Sequence, residues 1–186
     1  MTQNFTYIFN KTKFVALALI WCFLFVMNAN NIYATANIKK DEKKFEDWTL
    51  VCSRNKDNKE EKCYAENIVT AKKDDKDVTI ATYRIELNSK KEVKMTQILP
   101  LGTNLQSGTA IIVNSRMVAP GKYVYCLNEG CVALVEMNKS ELEMILDETA
   151  SAPVVGILSA DGVQNNIPFT TKGLKKVLEE LKNKAL

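Results

Sequence analysis

The chain has 186 residues, with 25 Lys and Arg against 22 Asp and Glu, and no histidine. That length suits one domain behind a leader, and the lack of histidine removes Ser-His and Cys-His nucleophile pairs, His metal ligands and the usual proton shuttle. Its seven glycines build neither a GxGxxG nor a phosphate-binding loop.

The N-terminus reads as a secretory signal. Its only charges are Lys11 and Lys13, an unbroken apolar run follows from Phe14 to Met27, and the segment closes on Ala34-Thr35-Ala36. A basic start, a short apolar stretch and a small-x-small site are the three parts of such a signal. A bilayer core takes roughly 20 apolar residues, so this run is short for a permanent span. Trp21 stands before Cys22, where lipoprotein processing wants a small residue. Cleavage is therefore expected after Ala36, with Ala34 and Ala36 in the small positions. The expected organisation is a signal peptide over 1–36, a charged leader over 37–44 and one domain over 45–186. The expected signal peptide carries two lysines and no acid, so the 150 residues behind it carry a net charge of +1. That balance lacks the footprint of a nucleic-acid binder and of a polybasic membrane-surface protein. The mature chain is expected to have no transmembrane span.

The body reads as short strands separated by charged turns. FEDWTLVC (45–52) reads as a strand with Trp48, Leu50 and Cys52 on one face. The next ten residues, 53–62, hold seven charges and read as a solvated loop. CYAENIVTA (63–71) is a second strand, and KKDDKD (72–77) a second turn. In VTIATYRIEL (78–87) the apolar set runs Val78, Ile80, then shifts to Ala81, Tyr83, Ile85, Leu87, a change of phase that predicts a bulge. KEVKMTQIL (91–99) alternates through Val93, Met95 and Leu99 and stops at Pro100. GTAIIVN, KYVYCL, CVALVEM and PVVGILSA are further strands, and Asp161-Gly162 turns the chain into VQNNIPF. Ser140 with Glu143 reads as a capping box for a short helix with Leu142, Ile145 and Leu146 on one face. Thr171 is placed to cap a longer helix, in which Leu174, Val177, Leu178 and Leu181 recur at the helical period. That stripe reads as core packing, with a partner-binding helix as the alternative. The sum is an all-β chain: an Ig-like antiparallel β-sandwich, a short helix near 140–147 and a C-terminal amphipathic helix.

Without Cys22, four cysteines remain: Cys52, Cys63, Cys126 and Cys131. An even set in an exported chain points to disulfides, and four cysteines allow three connectivities. In the stretch CLNEGC, Cys126 and Cys131 face each other if Asn128-Glu129 make the turn and Leu127 faces Gly130. Opposed strand residues lie within the reach of a disulfide. A zinc knuckle wants a second pair of similar spacing, and a redox pair prefers Cys-x-x-Cys at a helix start. The register thus favours Cys126–Cys131, and the same logic favours Cys52–Cys63 across the first charged loop.

These landmarks resemble the invasion-associated locus B family of exported bacterial proteins. The resemblance spans about 45–182 and rests on several stretches: Trp48-x-x-x-Cys52 with Cys63; Pro100-Leu101-Gly102 with Leu105 and Gly108; Cys126-Leu-Asn-Glu-Gly130-Cys131-Val-Ala133; and Lys172-Gly173-Leu174. Leu174 stands where the family commonly has Phe. The resemblance implies an Ig-like sandwich in the periplasm or outer envelope of an α-proteobacterium and an association with host-cell invasion. It brings no catalytic residues.

The expected function is that of a non-enzymatic envelope protein that binds an envelope or host protein. No metal and no cofactor is expected. Tyr123 and Tyr125, two residues apart and read as sharing one strand face, are the candidate binding anchors. The other readings are a periplasmic housekeeping protein and an enzyme built on a carboxylate pair among Glu141, Glu143, Asp147 and Glu148. Acids at a helix start, however, favour the macrodipole without any catalytic role. The destination is expected to be the periplasm, with outer-membrane association or secretion as further stages.

Overall fold

The computed structural model describes residues 38–55, 61–88, 90 and 92–184. The expected signal, its Ala34 and Ala36 site and the middle of the first charged loop lie outside the described residues. Ten described strands form one antiparallel sheet: β1 Ile38–Phe45, β2 Trp48–Asn55, β3 Glu61–Lys73, β4 Lys76–Leu87, β5 Val93–Leu99, β6 Thr109–Val113, β7 Arg116–Leu127, β8 Gly130–Met137, β9 Val154–Leu158 and β10 Gln164–Pro168. Their spatial order is β1-β2-β3-β4-β5-β8-β7-β6-β9-β10. Two helices accompany them, α1 Lys139–Ile145 and α2 Leu174–Lys184. No helix among the described residues is long and apolar enough to cross a membrane.

The sheet folds over its own inner face. Alternate residues of β2, β4, β5, β6, β8 and β9 share one apolar cluster with Phe169 and the stripe of α2. Period-2 patterning puts them there: Val93, Met95 and Leu99 point inward on β5, as do Ala133, Val135 and Met137 on β8. Gln97 occupies the same inward row, fully buried, and accepts a 2.8 Å hydrogen bond from the buried Thr109 hydroxyl. The pairing removes the cost of stranding two polar groups in the core.

The expected stripe of α2 is buried throughout: Leu174, Val177, Leu178 and Leu181 all lie in the core cluster. The helix starts differently from the reading above. The Thr171 side chain does not cap it; the Thr171 carbonyl accepts from Leu174 N, and Thr170 Oγ1 accepts from Lys172 N. Gly173 lies between, at φ 81°, and a Cβ there would fall on the Phe45 carbonyl. Glycine alone combines that left-handed backbone with so close an approach, which accounts for the Lys172-Gly173-Leu174 stretch. The box on α1 is likewise shifted by two residues. Asn138 is the cap and Glu141 the reciprocal partner, because Asn138 adopts the extended backbone an N-cap needs.

The charged leader is a strand. β1 pairs with β2 along its length, from Ile38 opposite Asn55 to Phe45 opposite Trp48, and the turn is Glu46–Asp47. The reading of 45–52 as one strand is thereby corrected, since this turn splits it. β1 sits at the end of the sheet, where lysines and acids keep a strand edge from recruiting another chain. The expected bulge in β4 is present: Ala81 faces Val69 and Thr79 faces Thr70, which leaves Ile80 as the extra residue.

Candidate functional site

Both cysteine pairs join directly opposed strand residues. Cys52 is bonded to Cys63 between β2 and β3, and Cys126 to Cys131 between β7 and β8, with Cα separations of 4.1 and 3.9 Å. Leu127 faces Gly130 across the Asn128–Glu129 turn, as the register required. A Cβ on Gly130 would meet the Leu99 carbonyl, so this hairpin end lies tightly against β5.

The two tyrosines do not share a face. Tyr123 pairs with Ala133 and Tyr125 with Val132, so Val124 is an extra residue. One bulged residue reverses the alternation beyond it. Tyr123 follows Ala133 to the inner side and packs on the core. Its hydroxyl is buried without a hydrogen-bond partner. Burial raises its pKa. Tyr125 points outward. Together Val124, Tyr125 and Leu127 are 56%, 53% and 57% exposed, an apolar end on a disulfide-stapled ribbon. The KYVYCL pattern showed alternation, but nothing in it marked Val124 as supernumerary.

The acids near α1 are spread and differently engaged. Glu141 accepts from Asn138 N in the capping box, and Glu143 pairs with Lys139 at 3.8 Å on the surface. The Thr149 hydroxyl and then its N–H hold the Asp147 carboxyl below its ordinary range. Asp161 is held down in the same way by the Ser159 hydroxyl and Val163 N–H, in the turn before β10.

A concavity lies on the outer face of β7, β6, β9 and β10, at residues the sequence did not mark. On β6, Thr109, Ile111 and Val113 are buried inward, so Ala110 and Ile112 face out. Ala110 lies between Pro120 and Gly156, and Gly156 lies beside Asn166. This row carries little side-chain bulk. Ile112 and Met117 rise on one side of it and Leu158 on the other, with Leu105 from the preceding loop also lining the space. The cavity measures about 720 Å3. No single strand reveals it, because its floor is assembled from one small residue on each of three strands.

The fold recurs in a known protein. No curated protein matches the chain. Among solved structures, invasion associated protein b from Bartonella henselae superposes with a TM-score of 0.65, covering 77% of this chain and 95% of that one at 14% identity. That likeness concerns the fold. A family model described as "Invasion associated locus B (IalB) protein" matches residues 48–182. The match opens at the buried Trp48 that starts β2, takes in both disulfides and the Gly173 turn, and closes in the last turn of α2. The chain therefore belongs to the invasion associated locus B family.

Proposed function

We propose that the protein is exported and works in the bacterial envelope as a non-enzymatic interaction module associated with host-cell invasion. The observation that carries the reading is the stapled end of the β7–β8 ribbon. Val124, Tyr125 and Leu127 are each more than half exposed on a strand that the Cys126–Cys131 bond holds in register. Tyrosine beside aliphatic residues on a rigid frame is the composition of an interface anchor. The paired cysteines favour an oxidising compartment, and the N-terminal segment supplies the means of reaching one. Membership of an invasion-associated family supports the biological setting. The partner is an envelope or host protein.

The test combines fractionation of the native organism, crosslinking of the processed protein, and complementation of a deletion strain. Changing Tyr125→Ser together with Leu127→Ser should leave thermal unfolding unaltered, remove the crosslinked partner and lower host-cell invasion. Protein found in the cytoplasm with free thiols would overturn the export reading. Full invasion by the double variant would overturn the role of the hairpin.

A further inference from the structure

The outward residues of the five central strands stand in rows of direct register. Ile68 on β3 faces Thr82 on β4, Thr82 faces Ile98 on β5, Ile98 faces Val132 on β8, and Val132 faces Tyr125 on β7. The next row on the same strands is Glu66, Arg84, Thr96, Leu134 and Lys122. Ile68 and Tyr125 close the first row at its two ends, 54% and 53% exposed, and Ile98 at its centre is half-buried. Neighbouring strands lie about 4.8 Å apart, so this row runs roughly 19 Å from end to end. Glu86, Lys94 and Glu136 make a charged third row that bounds the patch.

The pattern is complementary to itself. Glu66, which pairs with Arg84 in its own chain, is the acid at the β3 end of the second row, and Lys122 is the base at its β7 end. A two-fold axis along β5 exchanges those ends. It sets Ile68 of one copy on Tyr125 of the other, Glu66 on Lys122, and Ile98 on Ile98, with each end contact made twice. A foreign partner would have to bring the same antisymmetric order of acid, apolar centre and base; a second copy carries it already. We infer that this outer face binds a second copy of the chain as an isologous dimer. The inference rests on the reading of Tyr125 as an interface anchor and names its partner. Two rows of five residues are fewer than the roughly 20–30 a side of a standard interface, so the dimer is a weak one.

The experiment is sedimentation equilibrium of the protein purified from its native organism, over about 1 to 300 µM, the range in which so small an interface associates. The wild type should pass from monomer to dimer. Ile68→Ser and Lys122→Glu should each weaken association by about tenfold or more, since each change strikes the dimer twice and the second sets like charges together. Both altered side chains are exposed, and unchanged thermal unfolding of the variants checks that the fold is kept. The Ile98→Cys variant should be linked to its own copy by a short bis-maleimide. The Ile68→Cys variant should not, because the two copies of that position stand roughly 19 Å apart. A chain that stays monomeric throughout the range overturns the inference. So does a dimer that survives both Ile68→Ser and Lys122→Glu, or one in which Ile68→Cys links as readily as Ile98→Cys. If the chain is monomeric while Tyr125 still crosslinks a different protein in the native organism, the anchor reading stands and the second copy falls.

Discussion

Trp48 and Phe169 meet edge to face, with ring centroids 5.8 Å apart and planes inclined by 73°. Phe169 also stands edge-on to Tyr83 at 5.3 Å. The Trp48 Nε1–H donates to the Thr170 carbonyl at 3.0 Å. One aromatic cluster thus joins the second strand of the sheet to the segment that leaves the last. Phe169→Ala should cost about 3–5 kcal/mol, the range for emptying a buried aromatic site. Urea unfolding followed by tryptophan fluorescence measures it; a loss below about 1 kcal/mol would mean that the two ends of the sheet are held together by something else.

The docking of α2 makes a second prediction. Leu178→Ala should cost about 2–5 kcal/mol, and Leu178→Asp more, because it buries an unpaired charge. An isolated helix of this length is marginal in water, so its order comes from the sheet beneath it. Thermal unfolding of both variants is the measurement. An unchanged midpoint for Leu178→Asp would detach the helix from the core.

The two disulfides should differ in worth. In the chain-entropy account, the Cys52–Cys63 loop contributes about 3 kcal/mol and the shorter Cys126–Cys131 loop about 2 kcal/mol. Paired Cys→Ser replacement of each bond, with denaturant midpoints compared, should reproduce that order. Non-reducing peptide mapping of native protein should find these two links, and a Cys52–Cys131 link would contradict the structure.

Tyr83 provides a pH dependence. Its hydroxyl donates to the Pro168 carbonyl at 3.2 Å, and burial raises its pKa well above the ordinary value of 10.0. A folded-state pKa above the unfolded one gives stability that is complete below the unfolded value and is lost as pH rises beyond it. Stability should therefore fall in alkali above pH 10. Tyr83→Phe should forfeit about 1 kcal/mol near neutrality and flatten this alkaline decline. Denaturant midpoints of both proteins across pH decide it, and parallel curves would refute the assignment.

Much of this fold is written in period-2 burial, and it was legible where burial exists. The bulge at Ile80 announced itself because apolar residues changed phase on a strand with a covered face. The cysteine register followed from a short turn. β1 gave no such signal: its sequence IKKDEKKF is mostly charged because it lies at the sheet's end, and its ladder to β2 runs through the backbone. The bulge at Val124 was hidden because Val124, Tyr125 and Leu127 are all apolar on an exposed ribbon. The concavity on the outer face was illegible for another reason. Pro120, Ala110 and Gly156 become neighbours only through pairings between strands, and Pro120 lay outside the KYVYCL strand as read from the sequence.

The span between Trp48 and its acceptor at Thr170, 122 residues, has a consequence for synthesis. Strands β1 to β5 neighbour one another in the order in which they are made, so each hairpin can zip up as soon as its second strand emerges. Phe169 and α2, which cover that half, are translated last. A chain cut short before Phe169 should therefore leave the apolar face of Trp48, Leu50 and Tyr83 without its cover and be prone to aggregate.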